Sequence, residues 1–443
     1  MTEAGRHSRH AAARRRSRVW PAVLSLLLVA GAVGGGLALH RSSHSGDRTD
    51  PVAGAPSVDQ AARSAAVDAI LKRRSQAVLT GDEQAFLADI DRSDRRFVTK
   101  QRTLFANLRQ FGFASIAYQQ LAQQYDDSIA QKYGPSTYLI AVAMTYQIRD
   151  IDVVPVRAML GYTFTQRADG AWMLVSDSDL DKRLPRGSHQ EAWDFGPVTV
   201  KRAQRALVVV EQGQATLANK LVAMSVSAVH AVTKNWPGGW NGAGVVIALD
   251  DKIVRGADYT QPKNAEDALA MATWGYRTLP GEVTGAGERT DSYVVLNPNN
   301  RAKVDARTLA HEFTHVATAP YGPYAPRWLV EGAATYVEFL PMSGQKDLAI
   351  TQYRLDVQRK YLAKAKGLPT DDTFLDQADR SYPLSWLALD YLFTRFGGVE
   401  VGTLYRELAA LGSTQKERDR IMLEHVGMTE AGLFRALKAA AAA

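Results

Sequence analysis

The spacing of apolar and polar positions divides the chain into stretches of different period. Val19 to Leu39 is a run of twenty-one residues without a charge, long enough to cross a bilayer as a helix. Residues 40–56 are polar and hold Gly and Pro, a linker composition. From Ser57 the spacing becomes helical: Ser57 and Gln60 form a capping box, and Ala66, Ile70, Leu71 and Val78 keep one apolar face. Shorter helices are expected over Asp82 to Ile90 and Phe97 to Leu108. The period then drops to two. Thr137 to Ile148 and Val156 to Gln166 read as strands, and Ala171 to Val175 returns after the turn Ala168-Asp169-Gly170. Helices followed by long antiparallel strands predict an α+β domain over residues 57–185.

The pattern lapses from Pro185 to Pro197, which marks a domain boundary, and a second domain is expected over 186–443. Val198 to Val200 and Ala206 to Glu211 read as paired strands. Gln214 to Trp236 reads as an amphipathic helix with Leu217, Leu221, Met224 and Ala228 on its buried side. Gly244 to Leu249 and Ser292 to Leu296 are short strands. A helix capped by Asp305 runs to Thr318, with Leu309, Phe313 and Val316 on an apolar stripe and Thr308, His311, Glu312 and His315 opposite. Pro326 opens a further helix. Beyond residue 345, helical spacing recurs over Asp347–Lys364, Pro383–Phe396, Val401–Leu411 and Met428–Lys438, with Gly397-Gly398 ending one of these segments.

Composition is that of a globular protein, 46% apolar and 22% charged over 443 residues. The net charge of +7 is unevenly placed: eight arginines and three acids put +5 within the first fifty residues. The remainder is near neutral, which argues against a nucleic-acid partner. Cysteine is absent, which excludes a disulfide framework, a thiol nucleophile and a thiolate metal site. Arg6, Arg9, Arg14, Arg15, Arg16 and Arg18 precede the apolar run, so residues 1–18 are expected in the cytoplasm, 19–39 in the membrane and everything after His40 outside. The alternative is a secreted protein cleaved after small residues such as Gly36-Leu37-Ala38.

The chemistry is concentrated in His311-Glu312-Phe313-Thr314-His315. Two histidines four apart on a helix share one face and chelate a single zinc ion, and the adjacent glutamate stands where a general base for water belongs. Hydrolytic zinc takes three protein ligands, and Glu331, sixteen residues beyond His315, supplies a third. Thr335 and Glu338 share its helical face and are placed to bond the ligand imidazoles.

His311 to His315 followed by Trp328-Leu329-Val330-Glu331-Gly332-Ala333-Ala334-Thr335-Tyr336-Val337-Glu338 resembles the gluzincin, or peptidase MA-like, zinc metallopeptidases, and the second segment resembles the aminopeptidase N branch. The resemblance implies His311, His315 and Glu331 as zinc ligands and Glu312 as general base. It also implies an oxyanion-stabilising tyrosine, best matched by Tyr382 and less well by Tyr391. A mixed α/β part carrying the motif helix and a helical C-terminal part are implied as well. No Gly-x-Met-Glu-Asn segment precedes the motif, so recognition of a free amino terminus is not supported. The metzincin pattern is excluded by Thr318 and Tyr321, where it requires Gly and His. The preceding domain, with Ala77-Val78-Leu79-Thr80-Gly81-Asp82, resembles the nuclear transport factor 2-like cone. The expected activity is hydrolysis of a peptide or protein substrate, with Ser292 to Leu296 as an edge strand that holds it. A protease scaffold that has lost catalysis and serves as an envelope binding or assembly protein is the alternative.

Overall fold

The computed structural model describes residues 60–184, 188, 191–250, 254, 269–276, 289–340 and 347–442. The tail over 1–18, the apolar run over 19–39, the linker and the Ser57 cap lie outside them. Three helices come first: α1 (Gln60–Thr80), α2 (Glu83–Phe86) and α3 (Arg95–Phe111). Asp82 and Asp94 cap the second and third by accepting first-turn amides. A four-stranded antiparallel sheet follows in the order β1 (Phe113–Tyr125), β2 (Thr137–Ile148), β3 (Val156–Gln166), β4 (Trp172–Ser176), with α4 (Asp127–Tyr133) between its first two strands. The expected strands over 137–175 are present. Sequence spacing missed β1, whose run Tyr118-Gln119-Gln120-Leu121-Ala122-Gln123-Gln124 is polar because an edge strand leaves much of itself to solvent.

The second part is built on a mixed five-stranded sheet in the order β5 (Val198–Ala203), β6 (Ala206–Glu211), β7 (Gly244–Ala248), β9 (Arg289–Leu296), β8 (Ala270–Tyr276). β6, α5 (Ala215–Asn235) and β7 form a parallel crossover, and β5 and β8 pair antiparallel at the two ends. The edge position expected for Ser292 to Leu296 is therefore wrong: β9 lies inside the sheet between β7 and β8. Residues 270–276 carry no turn signal or polar alternation that sequence spacing detected, and they supply the edge instead.

Both faces of this sheet are buried, and alternation along each strand decides which core a residue joins. Val208, Val210, Val246, Ala248, Ala270, Ala272, Val294 and Leu296 pack with the helices of the C-terminal half. Leu207, Val209, Val245, Ile247, Met271, Tyr293 and Val295 pack instead with the first domain, in one core that contains Phe111, Phe113, Tyr146 and Trp193. Trp193 lies edge-on to Phe111 at 4.8 Å and to Tyr146 at 5.1 Å, and the phenols of Tyr146 and Tyr293 meet at 3.2 Å. Polar clamps reinforce the seam: the Asn107 amide donates to the carbonyls of Trp193 (2.8 Å) and Gly196 (2.7 Å), and its oxygen accepts from the Val198 N–H. The stretch read as a boundary thus includes a buried tryptophan that joins the two units.

The remaining elements are α6 (Ala306–Thr318), α7 (Arg327–Phe339), α8 (Asp347–Lys360), α9 (Ala378–Leu411), α10 (Gln415–Val426) and α11 (Glu430–Ala442). Gly397, at φ 80° and ψ 165°, is non-helical and breaks α9 into two helical segments, so one of them ends at Gly397-Gly398 as expected, in a backbone conformation that favours glycine. Among the described residues only α5 is long and apolar enough to cross a membrane, and it packs against β6 and α6 in the core.

Between α9 and α10, His425 lies between two carboxylates, Nδ1 at 2.6 Å from Glu400 and Nε2 at 2.8 Å from Glu407, with Arg420 also reaching Glu407. Burial lowers its pKa, but the bonds to Glu407 and Glu400 outweigh that and raise it above the usual 6.5. A raised folded pKa adds stability that is full below 6.5 and is lost as pH rises through the folded value. The melting temperature is therefore expected to fall as pH is raised above 6.5, and to fall less for His425→Gln. Parallel pH profiles for the two proteins would remove this role.

Candidate metal centre

Asp305 starts the motif helix α6 by accepting the N–H groups of Arg307 (3.0 Å) and Thr308 (2.9 Å). The apolar stripe faces the core as expected, with Leu309 and Phe313 fully buried. The opposite side is also buried, because α7 covers it: every residue from Thr308 to Thr318 is inside. Polar residues survive there by local bonding, Thr314 Oγ1 donating to the Ala310 carbonyl and Thr318 Oγ1 to that of Thr314. A side chain on Gly244 would collide with the Phe313 ring, so this glycine lets α6 approach β7 closely.

The glutamate helix α7 packs between α6 and α9. A Cβ at Gly332 would meet Leu389 Cδ2 at 2.5 Å and the Ser385 carbonyl at 2.8 Å. The small run Gly332-Ala333-Ala334 is what permits that approach, and it gives the motif a packing reason. The Trp328 indole donates to Glu430 Oε1 at 3.0 Å, tying α7 to α11.

This packing brings His311, His315 and Glu331 together, all 1% exposed or less, with their ligand atoms within 4.8 Å of one another. Nε2 of His311 lies 3.4 Å from Glu331 Oε2, and Nε2 of His315 lies 3.5 Å from the same atom. Neither Nε2 nor either Glu331 oxygen makes a hydrogen bond. Buried polar atoms left in that state are costly unless a ligand completes them. Two ligands about 2.0–2.1 Å from a tetrahedral ion stand roughly 3.3–3.4 Å apart, close to the spacing found. The group could hold a metal ion.

His311 Nδ1 is 3.0 Å from Glu338 Oε2, so Glu338 bonds the His311 imidazole. An Nδ1–H donated there leaves the Nε2 lone pair turned toward Glu331. Thr335 does not share this role: its Oγ1 is buried without a hydrogen bond, as is His315 Nδ1. Helical spacing placed Thr335 on the correct face but could not fix the distance across to α6. Burial pushes the His311 pKa down, yet the Glu331 and Glu338 carboxylates beside it carry it up to about 10. Burial also pushes Glu331 up, and the two histidines, His315 foremost, bring it down to about 2.

Glu312 is fully buried on the same helix, adjacent to His311. Tyr382 is 5% exposed, with its ring 6.3 Å from that of His311. Tyr391 makes no hydrogen bond or ring contact with the cluster among the described residues. Phe374 was not legible in the sequence, since it sits in an irregular stretch, yet it lies edge-on to Tyr382 at 5.2 Å. No family model and no curated protein matches the chain.

Proposed function

We propose that the protein is a zinc-dependent peptidase, held to the outer side of a membrane by residues 19–39. The observation that carries this reading is the buried His311–His315–Glu331 group, whose unbonded nitrogen and oxygen atoms stand 3.4–3.5 Å apart beside a buried Glu312. His311, His315 and Glu331 would hold the ion, a donor set of two imidazoles and one carboxylate that suits zinc. Zinc supplies Lewis acidity, which lowers the pKa of water and polarises a carbonyl. Glu312 takes the proton of the attacking water and returns it to the leaving amine. Glu338 fixes the orientation of His311, and the Tyr382 phenol donates to the oxyanion of the substrate. β8, the edge strand among the described residues and beside α6, holds the peptide in extended form by strand addition. The first domain, with α1 laid against a four-stranded sheet, supports the nuclear transport factor 2-like reading.

Zinc content and cleavage of a peptide library by the full-length protein and by Glu312→Gln test this. Both proteins should hold one zinc, and the variant should lose about 100- to 10,000-fold in kcat. Zinc-loaded wild type that cleaves no peptide would favour a scaffold with a binding role instead.

A further inference from the structure

The helix that carries Glu331 has no cap of its own. Pro326 occupies the position before its first turn and offers no side-chain acceptor for the amides that follow. The partner comes from 44 residues downstream: the Arg327 N–H donates to Asp371 Oδ1 at 2.7 Å. A carboxylate at the positive end of a helix is favoured by charge as well as by the bond. Arg327 and Glu331 are four apart, so the Arg327 carbonyl is the acceptor for the Glu331 amide in regular α-helix. Fixing the Arg327 peptide therefore fixes the turn that presents the metal ligand.

Asp371 opens a single 3-10 turn, Asp371–Thr373, bridged by the hydroxyls of Thr370 and Thr373 at 3.0 Å. The next residue, Phe374, is fully buried and meets the Tyr382 ring edge-on, 5.2 Å between centroids at 78°. One short stretch thus touches both the ligand helix and the tyrosine beside His311.

We propose that Asp371 and Phe374 are positioning residues for the metal centre, Asp371 setting Glu331 through the first turn of α7 and Phe374 setting Tyr382. The Asp371 half rests on metal binding alone; only the effect of Phe374 on turnover rests on the hydrolytic reading.

The test uses the full-length protein. Zinc affinity is measured by competition with a chromophoric chelator for wild type, Asp371→Ala and Asp371→Asn, together with the melting temperature of each zinc-free protein. Asp371→Ala should bind zinc about fivefold more weakly, the loss expected for one cap, and Asp371→Asn, which keeps an acceptor oxygen, should return to within about twofold of wild type. A lower melting temperature with unchanged zinc affinity overturns the Asp371 role. For Phe374, fluorotyrosine placed at position 382 gives a ¹⁹F resonance that reports the ring without requiring turnover. Phe374→Leu should shift or broaden that resonance and lower kcat about tenfold with KM nearly unchanged. It should cost nothing further in a Tyr382→Phe background. An unchanged resonance, or an equal further loss in that background, overturns the Phe374 role. Wild type that binds zinc but cleaves nothing would sink the peptidase reading, while the affinity and ¹⁹F results would still decide this one.

Discussion

Glu331→Gln is expected to weaken zinc binding by more than about a hundredfold while leaving the protein folded. The substitution keeps side-chain volume and removes the charge that both imidazoles face at 3.4 and 3.5 Å. Loss of an outer partner of a metal-bound histidine already costs roughly 10- to 100-fold in affinity, and loss of a direct ligand exceeds that. Glu338→Ala, which removes only the hydrogen bond to His311 Nδ1, belongs inside that smaller range. Calorimetric titration with zinc separates the two, and far-ultraviolet circular dichroism reports whether the fold is kept. Stoichiometric, undiminished zinc in Glu331→Gln would remove this residue from the ligand set.

A fragment that begins at residue 197 is expected to aggregate on expression. It would present to water the sheet face formed by Leu207, Val209, Val245, Ile247, Met271 and Val295, all buried against the first domain in the whole chain. Each such side chain contributes about 1.5–3 kcal/mol on burial, so six contribute roughly 9–18 kcal/mol, an upper estimate. That matches the roughly 5–15 kcal/mol net stability of an ordinary domain. The bonds of Asn107 to Trp193, Gly196 and Val198 would be lost as well. Sedimentation and near-ultraviolet circular dichroism check this. A monodisperse fragment with cooperative unfolding would show that the face does not need its cover.

Much of the site was readable from residues because its parts are local. Asp305 followed by periodic apolar positions locates α6, and a spacing of four puts both histidines on one side of any helix. Pro326 and the run through Glu338 locate α7 in the same way. Tyr382 is singled out by resemblance alone, and its ring lies 6.3 Å from that of His311. The errors have a common origin. The edge reading of Ser292 to Leu296 fails because period two shows that a segment is extended, not which neighbours it pairs with. Thr335 was given a bond because a shared helical face does not fix a distance to another helix.

The sequence by itself determined the elements and the inventory of chemical groups: a two-histidine helix, a glutamate helix, apolar strands and a chain without thiols. Backbone propensity and side-chain period act within a few residues, so they are written in order along the chain. Only the tertiary structure decided that Glu338 bonds His311, that β8 forms the edge and that Asp371 caps a helix 44 residues before it. It also decided that the first domain covers one face of the second sheet. Those outcomes depend on which apolar faces bury one another and how closely small residues such as Gly244 and Gly332 let them approach, and no local pattern carries that information.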